Sequence, residues 1–133
     1  YLDKAFVDKE KLDIYRTVDW DYMNNIHGIT KDNINNKIGT EIINKGYMST
    51  THEYHSPWAS RWTDGELILH IVSDKPYPYI DINKMFREDE IDCASQKEYL
   101  LPRNTKLEII SVDLKKGKLY DKNGTYQIEL KIK

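Results

Sequence analysis

The chain has 133 residues, with 20 Lys and Arg against 22 Asp and Glu and a formal net charge of −2 at pH 7. A chain of this length is expected to form one domain with one core and to bury about two thirds of its unfolded surface, so neither a disulfide nor a structural metal is needed. The balanced charge excludes a dominant long-range pull toward nucleic acid or anionic lipid, and 39% hydrophobic residues with three Trp and ten Tyr exclude a mostly disordered chain.

In chain order, Leu12 to Val18 reads LDIYRTV, whose alternation and Ile, Tyr, Thr and Val content predict a half-buried strand carrying Arg16. After a polar passage, Ile34, Ile38 and Ile42 recur every four residues and predict one face of a helix. Thr30 or Asp32 would cap that helix and Gly46 would end it, with Gly39 and several Asn as poor interior residues. Short β-like runs follow at Tyr47–Thr51, Glu66–Val72, Tyr77–Ile82, Glu98–Leu101, Lys106–Lys115 and Thr125–Ile132, so the second half is expected to be mostly sheet. Asp121-Lys122-Asn123-Gly124 supplies a hairpin turn between the last two.

The single cysteine, Cys93, forbids an internal disulfide and offers no paired-thiol or Cys/His zinc pattern. Apolar stretches such as Leu67-Ile68-Leu69 fall far short of the roughly 20 residues of a spanning helix, so no membrane partner is expected. The chain begins at Tyr1 without a Met or a basic-then-apolar leader, which suggests a mature chain or an excised domain.

Three segments stand out: Tyr15-Arg16-Thr17, Gly46-Tyr47-Met48-Ser49-Thr50-Thr51, and Ser95-Gln96-Lys97-Glu98-Tyr99-Leu100-Leu101-Pro102-Arg103. Singly, each reads as ordinary surface or strand sequence. Together, in this order and spacing, they resemble the Arg, Ser-Thr-Ser and Gln-x-Glu signatures of mono-ADP-ribosyltransferases, and most nearly the single-domain bacterial Rho-modifying exoenzymes. The likeness runs from Tyr15 through Ile110. Trp58 and Arg61, nine and twelve residues after Ser49, stand where that subgroup places an aromatic and an arginine.

The resemblance implies an α+β catalytic domain over residues 1–133, mostly antiparallel in two sheets, with one or two short helices and NAD in the cleft between the sheets. Only 15 residues precede Arg16, where the family normally has several helices, so upstream helices are expected to be missing or the domain minimal. Catalytic roles fall on Glu98, Gln96 and Ser49. Departure of nicotinamide from ribose leaves an oxocarbenium-like sugar, and Glu98 would stabilise it through the 2-hydroxyl, as a carboxylate does in glycoside hydrolysis. Arg16 and Arg61 would hold the diphosphate or adjacent ribose, Trp58 would stack on nicotinamide, and Ser49 would orient Glu98. Gln96, two residues before Glu98 on an extended strand, faces the same side and would orient the acceptor.

Gln rather than a second Glu suits an amide or a nucleobase better than a guanidinium, and the resemblance implies an acceptor that is a protein side chain of Asn or Gln type, with nucleic acid as the alternative. Cys93 stands where the Rho-modifying and DNA-modifying subgroups carry an aromatic residue three before the Gln. The resemblance further implies a monomeric toxin or effector that is secreted or delivered into a target cell and acts in its cytosol. An NAD glycohydrolase and a non-catalytic binding module are the rival readings. No metal is expected: His52 and His55 lack a third ligand, and Glu88, Asp89, Glu90 and Asp92 lack the spacing of a calcium loop. The Lys115-Lys116-Gly117-Lys118 cluster reads as a solvated turn, and no Gly-x-Gly-x-x-Gly supports a Rossmann mode of NAD binding.

Overall fold

The computed structural model describes residues 8–51, 66–81, 98–115 and 125–133. Its strands are β1 (Asp8–Glu10), β2 (Asp13–Asp19), β3 (Glu41–Asn44), β4 (Met48–Thr51), β5 (Glu66–Val72), β6 (Tyr77–Asp81), β7 (Glu98–Leu101), β8 (Thr105–Lys115) and β9 (Thr125–Ile132), with one α-helix, α1 (Trp20–His27), and a 3-10 turn at Ile34–Lys37. These nine strands form one sheet in the order β1-β6-β7-β4-β2-β5-β9-β8-β3. Strands β5 and β9 run parallel; the other neighbours run antiparallel.

The two separate sheets expected from the sequence are thus one hydrogen-bonded strand order. Its halves join where β2 meets β4, and among the described residues that junction is one register pair, Tyr15↔Thr51. On its other side β2 pairs with β5 along its whole length, from Asp13↔Val72 to Asp19↔Glu66. The sheet is therefore continuous at the seam.

The core lies on one face and is built in rows across the strands. Ile14 pairs with Ile71, Ile71 with Leu130, and Leu130 with Ile109, and all four are essentially inaccessible to water. Such rows of branched side chains suit pleated strands, because adjacent branched groups pack over one another with little rotamer freedom to lose. In β5, Leu67, Ile68, Leu69 and Ile71 are buried on both faces, which replaces alternation by a nearly continuous apolar run. In β9 the alternation survives, with Ile128, Leu130 and Ile132 buried and the residues between them half-exposed.

The predicted helix through Ile34, Ile38 and Ile42 is not formed. Ile34 sits in the 3-10 turn, where it is fully buried, Ile38 is exposed, and Ile42 belongs to β3, which pairs with β8. Gly39 lies between them with a φ of 91°, a conformation that ends a helix, and its N–H donates to Ile109 O at 2.7 Å to begin the sheet edge. Thr30, proposed as a helix cap, instead forms a reciprocal pair with Asn33: Thr30 N donates to Asn33 Oδ1 at 2.8 Å and Asn33 N to Thr30 Oγ1 at 3.3 Å.

The α-helix occupies the passage that reads as merely polar. Asp19 caps it, its Oδ1 accepting from Tyr22 N at 2.7 Å. Gly28 closes it at a φ of 68°, its N–H reaching Asn24 O at 2.9 Å. Only Met23 on this helix is fully buried. The Asp121–Gly124 turn lies outside the described residues, although the strands it would join do pair, from Leu107↔Ile132 to Lys115↔Thr125.

Candidate active site

Arg16 stands in the row next to the deepest one. It pairs with Leu69, which pairs with Ile128, and its strand neighbours on that face, Ile14 and Val18, are buried. Its aliphatic stem therefore packs with the core while the guanidinium runs toward the seam. There Nη1 donates to Ser49 O at 2.8 Å, and the guanidinium carbon lies 5.8 Å from the centroid of the Tyr22 ring. Nε is buried and finds no partner among the described residues.

Ser49 and Glu98 meet across the β4–β7 ladder. Register pairs Ser49↔Leu100 and Thr51↔Glu98 make Ser49 and Glu98 diagonal neighbours on one face. The Ser49 hydroxyl donates to Glu98 Oε2. Strand periodicity gives Thr50, between them, the opposite duty: it is buried, and its Oγ1 donates to Tyr99 O at 2.7 Å. The Ser-Thr-Thr run thus carries one residue for the site, one for the ladder's buried face and one, Thr51, for the seam.

Ser49 consequently touches both other residues through different groups. Its carbonyl receives the guanidinium and its hydroxyl binds the carboxylate. Two residues, 33 positions before it and 49 after it in sequence, converge on it.

Two further contacts hold this arrangement. Tyr22, under the Arg16 guanidinium, donates its hydroxyl to Asn44 Oδ1 at 3.2 Å, and Asn44 Nδ2 donates to Gly46 O at 2.8 Å. Tyr15, the seam residue of β2, stacks on His70 with ring centroids 4.6 Å apart and planes 12° apart. His70 is fixed in turn by Asp13 at 2.6 Å, with Glu129 3.5 Å from its other nitrogen. The sequence gives no sign of Tyr22 or Asn44. A hydrogen bond between a helix and a remote strand end leaves no local pattern, and the aromatic ring six residues after Arg16 would be the only hint.

Two titrating groups nearby are shifted. Burial in the last turn of α1 holds His27 below its ordinary value of 6.5, and its ring meets Tyr22 edge-on at 6.3 Å. Tyr99, stacked on Tyr79 at 4.6 Å, is pushed up by burial and then by the charge of Glu10, whose Oε1 is 3.4 Å from its hydroxyl.

Of the residues named from the sequence, Arg16, Ser49 and Glu98 come together. Gln96, Trp58, Arg61, Cys93, His52, His55, the acidic stretch from Glu88 to Asp92 and Lys116 to Lys118 lie outside the described residues. Among the described residues no group of three or more His, Cys, Asp or Glu is arranged to hold a metal, and no helix is long and apolar enough to cross a membrane.

The family model described as ADP-ribosyltransferase exoenzyme matches residues 2–132. The chain belongs to that family. No curated protein matches it significantly. Among solved structures, this ADP-ribosyltransferase exoenzyme domain is similar to C3stau2 from S. aureus, determined with NAD, at 21% identity and a TM-score of 0.69, covering 93% of this chain and 62% of that one. It is similar to Plx2a, an ADP-ribosyltransferase toxin from Paenibacillus larvae, at 17% identity and a TM-score of 0.70, covering 99% and 67%. It is also similar to the Clostridium limosum C3 exoenzyme, at 20% identity and a TM-score of 0.68, covering 99% and 65%. The chain therefore spans about two thirds of the length of these proteins, and the likeness is one of fold.

Proposed function

We propose that the domain is a mono-ADP-ribosyltransferase that takes NAD as substrate and passes ADP-ribose to a macromolecular acceptor. The observation that carries this reading is the double engagement of Ser49, whose carbonyl receives Arg16 and whose hydroxyl holds Glu98. A cation and an anion held by one residue suit a substrate that is negative at its diphosphate and becomes positive at its reacting sugar.

In this reading the Arg16 fork binds the diphosphate or the adjacent ribose, a task its planar bidentate geometry suits and a lysine's does not. Glu98 accepts from the ribose 2-hydroxyl. As the bond between C1 of that ribose and the nicotinamide nitrogen breaks, the electron pair leaves with nicotinamide and positive charge develops on the sugar. The carboxylate stabilises that charge, and its hydrogen bond to the hydroxyl strengthens at the same moment. The acceptor's nucleophile then bonds to C1 and releases its proton. Ser49 keeps Glu98 in place, so the carboxylate does not have to be ordered during the reaction.

Gln96, Trp58 and Arg61 complete the proposal on the strength of their sequence positions. Gln96 orients the acceptor, Trp58 stacks on nicotinamide and Arg61 supports Arg16. NAD lies at the β2–β4 seam, beside which Arg16, Ser49 and Glu98 meet. The acceptor is a protein side chain of Asn or Gln type. The protein acts as a monomeric toxin or effector, secreted or delivered into a target cell; the likeness to Plx2a, an ADP-ribosyltransferase toxin, supports the toxin part of this reading.

The test is incubation with NAD labelled on its ADP-ribose and a cell lysate, comparing the native protein with Glu98→Gln. A discrete labelled protein that fades at least about a hundredfold with the variant is the expected result, by comparison with loss of one preorganised transition-state group. Near-native labelling by Glu98→Gln refutes the assignment. Free ADP-ribose with no labelled macromolecule replaces transfer by hydrolysis, and a labelled nucleic acid replaces the protein acceptor.

A further inference from the structure

Arg16 and Ser49 are not themselves register partners among the described residues. Among the described residues, strands β2 and β4 share the register pair Tyr15↔Thr51, and Arg16 and Ser49 lie beyond it. Arg16 also leaves its Nε buried without a partner among the described residues, so its own hydrogen bonds do not fully determine the fork's orientation. Something outside the ladder has to supply the missing constraint.

We propose that Tyr22 and Asn44 are positioning residues that fix the Arg16 guanidinium relative to Ser49. Tyr22 sits in the first turn of α1, which follows β2 directly and is anchored by the Asp19 cap at Tyr22 N, 2.7 Å. Its ring supports the guanidinium at 5.8 Å. Its hydroxyl is held at 3.2 Å by Asn44, a buried residue whose amide also grips Gly46 O at 2.8 Å, two residues before β4 begins. One side chain thereby ties the helix behind Arg16 to the turn that launches Ser49. The brace spans the seam by a second route.

This inference rests on the reading of Arg16 as the NAD-holding residue, but the brace itself can be tested without NAD. In 15N-edited NMR spectra of the whole domain, the Arg16 Nε–H signal, assigned by its loss in Arg16→Lys, should exchange slowly because the atom is buried. Tyr22→Phe keeps the ring and removes only the link to Asn44, and it should speed that exchange about tenfold. Tyr22→Leu removes both and should speed it further. Unchanged exchange in both variants overturns the proposal.

A double-mutant cycle adds the functional readout. Tyr22→Leu should weaken NAD binding by calorimetry about tenfold in the native background, the scale of a lost cation–π support. In the Arg16→Lys background the same change should cost less than about twofold, because the group it positions is gone. Equal losses in both backgrounds would make Tyr22 a merely structural residue and overturn the proposal. If the native protein binds no NAD while Arg16 exchange responds to Tyr22, the brace stands and the transferase reading falls.

Discussion

Replacing Ser49 with Ala removes one hydroxyl and leaves the backbone carbonyl that accepts from Arg16 Nη1 at 2.8 Å. The substitution therefore divides the site. Arg16 keeps its anchor, so NAD affinity should stay within about twofold of the native value. Glu98 loses the donor that holds its carboxylate across the β4–β7 ladder. A hydrogen bond to a charged group contributes about 1.5–3 kcal/mol, and about 1.36 kcal/mol is a factor of ten in rate, which brackets the loss at about 10–150-fold in kcat. Ser49 is exposed, so water replaces part of the lost interaction, and the lower end, about tenfold, is expected. The assay is steady-state transfer from labelled NAD alongside calorimetric titration of NAD. A variant with native kcat and weakened NAD binding would refute the reasoning, because it would mean that the Ser49 hydroxyl serves binding rather than the carboxylate.

Gln96→Ala should spare NAD hydrolysis and lower transfer to the acceptor, measured as free against macromolecule-bound ADP-ribose; equal loss of both removes Gln96 from acceptor selection. Asp19→Ala deletes the side-chain cap of α1 and should cost about 1 kcal/mol of stability in urea unfolding, whereas an unchanged midpoint would mean that the helix is held by its packing alone. For pH, burial keeps His27 below 6.5 in the folded chain, so the unfolded chain binds more protons in the window just under that value. Stability should be full above it and decline as pH falls below it, and His27→Gln should flatten that decline in urea unfolding followed against pH. The exposed pairs Asp74–Lys131 and Glu108–Lys133 act in a lower window: their depressed carboxylates support the fold above the usual carboxylate range and lose that effect in acid.

The strands were readable where side-chain chemistry matches the pleat. Glu66–Val72, Glu98–Leu101 and Thr125–Ile132 coincide with the observed strands, because a β-branched or apolar run between turn residues has few other stable outcomes. Ile34, Ile38 and Ile42 misled because a spacing of four is also a multiple of two and does not by itself distinguish a helix from extended chain. The positive φ of Gly39 decides the matter and is visible only in three dimensions. Helix α1 was missed for the opposite reason: with Met23 as its one fully buried residue it shows no apolar stripe, and only the Asp19 and Gly28 punctuation marks it. The Arg16, Ser49 and Glu98 grouping was legible through family signatures rather than through spacing, since no periodic rule links residues 33 and 49 apart. Tyr22 and Asn44 belong to neither kind of signal.

The distances in sequence between the three residues that meet at Ser49 also govern when a working centre can exist. Loops of 33 and 49 residues must close before Arg16 and Glu98 reach it, and contacts of such high order are slow to form. A ribosome-bound chain that has not yet released Glu98 has no centre at all, and a complete but unfolded one has three scattered side chains. The centre is therefore assembled only when β2, β4 and β7 have docked, so catalytic competence and tertiary structure arrive together.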